Sequence, residues 1–423
     1  MTARRILLYS PDLVGHPRVY CRVIADLLAA ENCELVLAMG FTDEIGFEQS
    51  ADLHPLATRE RVRLIENRTR FASGNPHLSA EEIVALQQEL AIDVTLFIEA
   101  DKSNDEFRRI ASGAAPRLHG RNLGIFANTA EWYPGEDSFT GARKRIVAPS
   151  LRTTLGNVKR AIFDRRKTPR WFYERIILGH HVLDEIITKD ERLAEWHGPP
   201  VYWMPEISRP AEAEESDADR AKFERTKTDL DRFLAANAGR ERVLYFGDAA
   251  HYKGYDLFLQ FVAQNPHTCA IHPGRTYAAR DAAWFEYDVE ALRARLRAEG
   301  RLFETNEYVH TQRLKTLFFD AIRLYVTTHR LALSSSTVIQ AAELGKPILV
   351  PNRGLLGHRV LANGIGAVYA YGDLDDLRRK ADQLWSSDLT RFEEPLQRFW
   401  RKFSDEAIRE FFVKRLGVRA SSS

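Results

Sequence analysis

Four consecutive hydroxyl residues stand where a short helical pattern begins. The pattern ends at Gly345 and starts with Ser334, Ser335, Ser336 and Thr337. Because the first backbone amides of a helix have no partner within the helix, hydroxyl residues at this position can help to bind a phosphate. Serine is also a preferred N-cap residue, so plain capping is the alternative explanation.

A second stretch of the sequence offers a cation for the same chemistry. YFGDAAHYKGYDLFLQ (245–260) places Gly247 at the end of a strand, with Lys253 and Gly254 just before a helix. A lysine at a helix N-terminus can reach an anion that the helix dipole already favours. Two helix N-termini that follow parallel strands can converge at the carboxyl edge of a sheet, where α/β folds bind ligands. Together the two stretches predict a pyrophosphate site.

The elements that must position these residues alternate between strands and helices, which predicts layered α/β domains with parallel strands. Ser79 and Glu82 are spaced as a capping box at the start of a helix over 79–91. The alternation starts twice, and residues 198–220, with four prolines and an acidic tail, read as a linker. In the first half, strands are predicted at 5–10, 33–40, 93–100, 122–129 and, as the last one, 183–190; in the second half, at 242–248, 268–274, 321–329, 346–352 and from 367.

Composition limits the classes of protein that the chain can be. Its 423 residues fit two domains, and a net charge of +1 gives no global field for nucleic acid. Cys21, Cys33 and Cys269 form no CxxC pair, which favours a reducing compartment and argues against a zinc site. No apolar run reaches the ~18 residues of a membrane span. The apolar run near the start is too short for a signal peptide, so we expect a cytoplasmic protein.

The order strand, Gly, Lys-Gly, helix, followed by the serine stretch, resembles the donor-binding half of GT-B glycosyltransferases. SSSTVIQAAELGKPILVP (334–351) is similar to the motif of the transferase that adds N-acetylglucosamine to lipid-linked peptidoglycan precursors. FGDAAHYKGYDLFL (246–259) is closer to retaining family-four transferases. SPDLVGHPRVYCRVIADLL (10–28) resembles the Gly-rich loop and first helix with which such proteins begin.

The resemblance implies an α/β fold of two Rossmann-like domains that face across a cleft (GT-B). It implies an acceptor-binding domain over 1–205, a nucleotide-sugar-binding domain over 206–385, and helices over 386–423 that cross back to the first domain. The substrate would be a nucleotide-diphosphate sugar, most simply of UDP or GDP, with no cofactor and no metal. The residues expected to bind it are Gly15, Gly247, Lys253, Gly254, Arg275, Ser334, Ser335, Ser336, Thr337 and Gln340.

The sequence departs from the family pattern at three positions. Asp248 stands where retaining members carry an arginine after the strand glycine, so Arg275 or His251 would have to supply the missing cation. Ala332 and Gln340 replace a pair of glutamates; Gln340 can still hydrogen-bond a ribose hydroxyl. Retaining and inverting chemistry both stay open, as do a GT-B nucleotide-sugar epimerase and a non-catalytic nucleotide-binding or scaffold relative.

An inverting transferase needs a base that takes the proton of the acceptor hydroxyl. The candidates in the first half are Asp12, His16, Glu99, Asp101 and His119. His16 follows Gly15 in the first loop, and histidine titrates near neutral pH. We therefore favour His16, together with Asp12 and Asp101, as catalytic residues. A role in capping or packing of the first loop is the alternative for His16, and capping of the next helix is the alternative for Glu99 and Asp101.

Residues 141–181 form the one strongly basic segment, with eleven Lys or Arg against Asp164 and Glu174. Trp171, Phe172 and Tyr173 lie among them. This mixture suits a lipid-linked or glycan acceptor and peripheral contact with the inner face of a membrane. A solvated helical face over a buried apolar side is the alternative, and a nucleic acid partner is disfavoured.

The last apolar pattern, from Leu396 to Leu416, has a face too large to leave in water. In the resembled family such a tail ties the two domains together. Packing on its own domain and dimer formation are the alternatives.

Overall fold

The computed structural model describes residues 3–11, 16–29, 31–40, 56, 58–67, 77–126, 177–207, 216–276, 284–307, 309, 311–331 and 334–418. The chain divides into two compact units. Unit 1 comprises Met1–Ile207 together with Ser404–Ser423, and unit 2 comprises Ser208–Phe403. Residues 386–403, which the sequence assigned to the returning helices, therefore belong to unit 2.

Unit 1 contains a seven-stranded sheet in the order β3-β2-β1-β4-β5-β6-β7, and each neighbouring pair is parallel. The sheet order reverses between β1 and β4, as in doubly wound α/β domains. The strands are β1 (Arg4–Ser10), β2 (Cys33–Met39), β3 (Val62–Glu66), β4 (Val94–Phe97), β5 (Arg121–Phe126), β6 (Glu185–Thr188) and β7 (Val201–Trp203).

Helices cover both faces of this sheet, and the side chains of β1 contribute alternately to the cores on the two faces. Its Ile6 and Leu8 join the core on one face, while Leu7 and Tyr9 join the core on the other. This alternation follows from the two-residue period of a strand. Among the described residues, the helices of unit 1 are α1 (His16–Leu28), α2 (Ala80–Glu89), α3 (Asn104–Ala111), α4 (Glu191–His197) and α13 (Asp405–Leu416).

Helix α13, at the end of the chain, packs against α1. Ile408, Phe412 and Leu416 are buried in the same core as the inward side chains of α1. Arg4 of β1 also donates to the main-chain oxygen of Leu416 at 2.9 Å. The apolar face noted in the sequence is thus buried within unit 1 from Ser404 onward, whereas Leu396 and Phe399 are buried in unit 2.

Two predictions about the first unit need correction and one is confirmed. The strand near 183–190 is not the last of this half, because β7 follows it inside the segment that was read as a linker. Strand β3 was not predicted. The capping box is confirmed: the Ser79 hydroxyl accepts from the amide of Glu82, and the Glu82 carboxylate accepts from the amide of Ser79.

Unit 2 contains two three-stranded parallel sheets, in the orders β10-β9-β8 and β11-β12-β13. β8 and β11 are in contact, so the order across both sheets reverses between these two strands. The strands are β8 (Glu241–Leu244), β9 (Thr268–His272), β10 (Leu302–Glu304), β11 (Tyr325–Val326), β12 (Ile348–Pro351) and β13 (Gly366–Tyr369).

The helices of unit 2 include one that the sequence analysis missed. Residues 217–236, which begin inside the supposed linker, form a 20-residue helix that Ser216 caps. The helices in the part of unit 2 that the structure describes are α5 (Asp217–Ala236), α6 (Tyr255–Gln264), α7 (Val289–Ala298), α8 (Gln312–Asp320), α9 (Ser336–Glu343), α10 (Gly354–Asn363), α11 (Leu374–Trp385) and α12 (Glu393–Arg401). In the described ranges no helix has both the length and the apolar character needed to span a membrane.

Candidate functional site

The candidate site of unit 2 lies where the strand order reverses. The chain leaves β8 and enters α6, and it leaves β11 and enters α9. Since β8 and β11 are in contact and both sheets are parallel, both helices begin at the carboxyl edge on either side of the reversal. Ligands of open α/β sheets bind at this position, because loops diverge there and leave a crevice.

Helices α6 and α9 both begin without a side-chain cap among the described residues. Gly254 is the N-cap of α6, and the hydroxyl of the α9 N-cap, Ser335, makes no capping hydrogen bond. Among the described residues, four other helices of the unit are capped by side chains, as α5 is by Ser216 and α8 by Thr311, whereas α10 and α12 also lack such a cap. Plain capping therefore does not account for the serines before α9, and the first amides of both helices are open to an anion.

Three glycines let the loops of this site approach one another closely. Gly247 has φ +101° and Gly254 has φ +69°, both in the region that favours glycine. A Cβ at Gly254 would clash with the main-chain oxygen of Thr328, and a Cβ at Gly274 would clash with that of Gly247. The loops after β8, β9 and β11 are thus packed main chain against main chain.

Lys253 supplies the positive charge of the site. It ends a 3-10 turn, His251–Lys253, and its Nζ lies 3.1 Å from the position that a Cβ on Gly247 would take. Within the part of the chain that the structure describes, the ammonium forms no ion pair. Burial lowers the pKa of Lys253, and the nearby carboxylate of Asp248 offsets only part of that effect. An anionic ligand would supply the missing counter-charge.

Asp248 and Arg275 form an ion pair beside this lysine. The Arg275 Nε lies 3.0 Å from one carboxylate oxygen and the Nη2 lies 2.5 Å from the other. Burial acts to raise the pKa of Asp248, but the hydrogen bonds and charge of Arg275 outweigh it and lower the pKa overall. Arg275, predicted as a replacement cation for the phosphates, is therefore already matched by the Asp248 carboxylate.

A buried ion pair holds the lysine loop against the end of β11. Arg330 donates to both carboxylate oxygens of Asp256, at 2.6 and 2.8 Å, and to the main-chain oxygen of His251 at 3.1 Å. The main-chain amide of Arg330 donates to the oxygen of Tyr252 at 2.9 Å. Arg330 thus connects the turn that carries Lys253, the first turn of α6 and the loop after β11. These contacts preorganise the site.

His329, next to Arg330, is a further polar group of the site that sequence reasoning did not single out. The imidazole is buried and its Nδ1 is hydrogen-bonded to the Thr327 hydroxyl. Burial, and then the charge of Lys253, lower the pKa of His329 to about 3. The imidazole is therefore neutral at physiological pH and adds no charge to the site.

The residues around the start of α9 are tied to the surrounding core. The Ser334 hydroxyl accepts from buried Arg359 at 2.8 Å, and the Thr337 hydroxyl accepts from Tyr325 at 2.8 Å. Ser336 is the first residue of α9, and Gln340, one turn further along, is buried. Glu343 forms an ion pair with buried Lys315 at 3.3 Å, so this carboxylate already has a partner within the protein and needs no ligand to explain it.

The structure describes the residues predicted for the acceptor side only in part. Asp12, Gly15 and Ala332 lie outside the described residues. His16 begins α1, and Asp101 lies in a 3-10 turn, Ala100–Ser103, directly after β4. His119 precedes β5, at the amino edge of the parallel sheet, so it cannot share an edge with Asp101.

The carboxyl edge of unit 1 also contains a lysine, Lys189, directly after β6. Its Nζ lies 4.7 Å from the centre of the Tyr20 ring. Burial acts to lower the pKa of Lys189, but Tyr20, Glu206 and Glu99 outweigh it and raise the pKa overall. Lys189 is thus a cation whose counter-charges come from unit 1 itself.

Residues Arg330, Asp256, His329 and Lys189 were missed because their partners lie far away in the sequence. Arg330 and Asp256 are 74 residues apart. The one local signal was the run TTHR (327–330) directly after a strand.

Comparison with solved structures shows which fold the chain has. It is similar to HepE of Anabaena in complex with UDP (13% identity, 98% of this chain and 99% of that chain, TM-score 0.61). It is also similar to a glycosyltransferase of Rickettsia africae (12% identity, 98% of each chain, TM-score 0.61) and to sucrose-phosphate synthase of Thermosynechococcus elongatus (12% identity, 98% of each chain, TM-score 0.59). No protein-family model matches the sequence, and no curated protein does. The likeness confirms the predicted fold class: the chain has the α/β fold of these proteins, with two Rossmann-like domains of the GT-B kind.

Proposed function

We propose that the chain is a metal-independent glycosyltransferase that moves a sugar from a nucleotide-diphosphate sugar to a hydroxyl acceptor. The observation that carries this proposal is Lys253: a partly buried ammonium without an ion pair among the described residues. It lies directly before α6, and its turn packs against the loop through which the chain passes from β11 to α9; both helices begin without a side-chain cap. A diphosphate matches this arrangement, since it brings negative charge and several acceptor oxygens.

UDP is the first nucleotide to test and GDP the second. HepE of Anabaena, which has the same fold, was crystallised with UDP and with UDP-glucose. In this proposal the amides and hydroxyls of residues 334–337 bind the diphosphate together with Lys253, and Gln340 hydrogen-bonds the ribose. His16, Asp12 and Asp101 are the proposed base and its neighbours for an inverting reaction.

We further propose that the acceptor is a glycan or a lipid-linked glycan of a cell-surface polysaccharide or glycolipid pathway. The basic segment 141–181, most of which lies outside the described residues, supports this because lipid-linked acceptors carry pyrophosphate. Such an enzyme would act in the cytoplasm and make peripheral contact with the inner face of the membrane.

A thermal-shift panel with UDP, GDP, CMP, ADP and dTDP tests the donor half of the proposal. A nucleotide at 100 times its dissociation constant should raise the unfolding free energy by about 2.7 kcal/mol. Lys253→Met should then weaken binding of that nucleotide by about 1.5–3 kcal/mol in calorimetry, the size of a hydrogen bond to a charged group. Lys227→Met, which removes an exposed lysine of α5, is the matched control and should bind like the wild type. The absence of any nucleotide shift would reject the proposal.

A nucleotide-sugar epimerase and a non-catalytic nucleotide-binding relative are the second candidates. The observation that favours them is Gln340, a neutral side chain where the resembled family has a glutamate. Product analysis after incubation with UDP-glucose and a hydroxyl acceptor separates the three. Release of UDP with a new glycoside indicates a transferase, an epimer without release of UDP indicates an epimerase, and binding without any product indicates the non-catalytic relative.

A further inference from the structure

Asp248 places a negative charge inside the proposed phosphate site. It follows Gly247 directly, and its carboxylate is close enough to Lys253 for the two charges to influence each other's pKa. A diphosphate bound at Lys253 would therefore meet a like charge. Such an arrangement needs an explanation, because a site built only to hold phosphates tightly would leave this position neutral or cationic.

The ion pair between Arg275 and Asp248 is exposed enough for Arg275 to leave the carboxylate and bind a phosphate. Arg275 is 62% exposed and Asp248 is 35% exposed in their side chains. An ion pair this accessible to solvent contributes about 0–1 kcal/mol, so separating the two groups costs little. The guanidinium can form the same forked pair of hydrogen bonds with a phosphate that it now forms with the carboxylate.

We propose that Asp248 sets the affinity of the site by competing with a nucleoside diphosphate for Arg275. In the free protein the Asp248 carboxylate occupies Arg275. When the diphosphate binds at Lys253, the Arg275 side chain moves from Asp248 to the phosphate oxygens, and when the diphosphate leaves, the carboxylate takes Arg275 back. The inference rests on the proposed function, since it requires a diphosphate at Lys253, and it makes Asp248 a residue that tunes the affinity for diphosphates rather than a ligand.

Competition of this kind weakens the binding of every diphosphate, including the nucleoside diphosphate that a transfer reaction leaves behind. An enzyme with such a pair would release this product faster than one with a neutral residue at position 248. The main chain holds the pair in place in the free state, because the amide of Arg275 also donates to Asp248 at 3.3 Å and the amide of Ala249 donates to the oxygen of Arg275 at 3.0 Å.

Calorimetric titration of UDP and of inorganic pyrophosphate into four proteins tests the proposal. The proteins are the wild type, Asp248→Asn, Arg275→Gln and the double variant. We expect Asp248→Asn to bind both probes about three- to tenfold more tightly, because the repulsion and the competing carboxylate charge are removed. Arg275→Gln should weaken binding about threefold in the wild type and about tenfold in the Asp248→Asn background, where the Asp248 charge no longer competes for the guanidinium.

Asp229→Asn is the matched control. It removes one carboxylate from unit 2 that also pairs with an arginine, Arg232, at 2.9 Å, but it does so on α5. It should leave the affinity for both probes within a factor of about two, as expected of an exposed change away from the site.

Several outcomes would overturn the proposal. Equal or weaker binding of UDP by Asp248→Asn would exclude competition, as would additive effects of the two substitutions. UDP-glucose is titrated into the wild type and Asp248→Asn as well; if the substitution weakens binding of UDP-glucose but not of UDP, the carboxylate contacts the sugar and the proposal is wrong. These results leave the proposed function intact as long as the wild type binds UDP or GDP. If no protein of the set binds either nucleotide, the proposed function fails and this inference fails with it.

Discussion

Lys189 of unit 1 and Lys253 of unit 2 both lie at the carboxyl edge of a parallel sheet, yet their surroundings act in opposite directions. Burial acts to lower the pKa of Lys189, but Tyr20 and two glutamates outweigh it and raise that pKa. Burial lowers the pKa of Lys253, and Asp248 compensates only in part. The first ammonium is thus neutralised by its own unit, whereas the second keeps uncompensated charge.

This difference is the one expected between a structural cation and a cation that binds a ligand. A buried charge that has its counter-charge in place contributes to the folded state only through that partner, and its removal leaves the partner unpaired. A charge without a full counter-charge costs desolvation energy in the free protein and recovers it when an anion binds. Of the two lysines, only Lys253 has the properties expected of a phosphate ligand.

The largest expected effect is the loss of stability in Lys189→Met. Glu206 is 4% exposed and Tyr20 is 2% exposed, so removal of the ammonium leaves a buried carboxylate without its cation. We expect the unfolding free energy in urea to fall by about 3–5 kcal/mol. The double variant Lys189→Met with Glu206→Gln should recover part of that loss.

Lys253→Met is the matched comparison for that experiment. Its ammonium has no ion pair to lose among the described residues, so the unfolding free energy should stay the same or rise. If both methionine variants lose several kcal/mol, Lys253 has a structural partner in solution and the distinction between the two lysines is wrong.

The sequence predicted the local parts of this comparison but not the long-range ones. Strand, Gly, Lys-Gly and helix can be read from neighbouring residues, and the structure places Lys253 and Gly254 directly before α6 as that pattern predicts. The strand β8 ends at Leu244, so Gly247 lies in the loop after the strand rather than at its end. The counter-charge of Lys189 comes from Glu206 and Glu99, of which Glu99 lies far from Lys189 in the sequence. A local pattern carries no information about which charges will be buried together.

Two elements, β7 and α5, were not predicted because their own sequences lack a recognisable periodic pattern. β7 is only three residues long, too short for its alternation to be recognised. Helix α5 has just one fully buried residue, Leu230, so it lacks the apolar stripe by which an amphipathic helix is recognised. Its capping box, Ser216 with Asp219, was present in the sequence and is the signal that could have identified it.

The second expected effect is a loss of stability at low pH that comes from His329, the histidine whose pKa is lowered in part by Lys253. The pKa of His329 is lowered to about 3 by burial and by the charge of Lys253, against about 6.5 in an unfolded chain. Between these values the unfolded chain binds the proton and the folded chain does not, so stability falls as the pH drops below about 6.5.

At pH 5 this histidine alone should cost about 2 kcal/mol of unfolding free energy relative to pH 7. The drop between the two pH values should therefore be smaller by that amount in His329→Asn. His267→Gln, which replaces an exposed histidine of the same unit, should behave like the wild type. A wild-type-like acid response in His329→Asn would mean that the imidazole is accessible to solvent.

The smallest expected effect concerns two serines at helix N-caps, Ser404 before α13 and Ser335 before α9. Ser404 caps α13 of unit 1, since its hydroxyl accepts from the amide of Ala407 at 3.2 Å. Ser335 occupies the same position before α9 of unit 2, but its hydroxyl is hydrogen-bonded to that of Thr337 instead. Ser404→Ala should lower the unfolding free energy by about 1 kcal/mol, the usual cost of a lost N-cap.

Ser335→Ala should change the unfolding free energy by less than about 0.5 kcal/mol, as expected of a partly exposed position without a capping bond. Urea unfolding of the two variants side by side measures the difference. Equal losses would show that Ser335 caps α9 in solution, and the amides at the start of that helix would then be less available for a phosphate. A loss confined to Ser404→Ala, together with stabilisation of wild type and Ser335→Ala by UDP, would indicate that the open helix start of unit 2 is kept for a ligand.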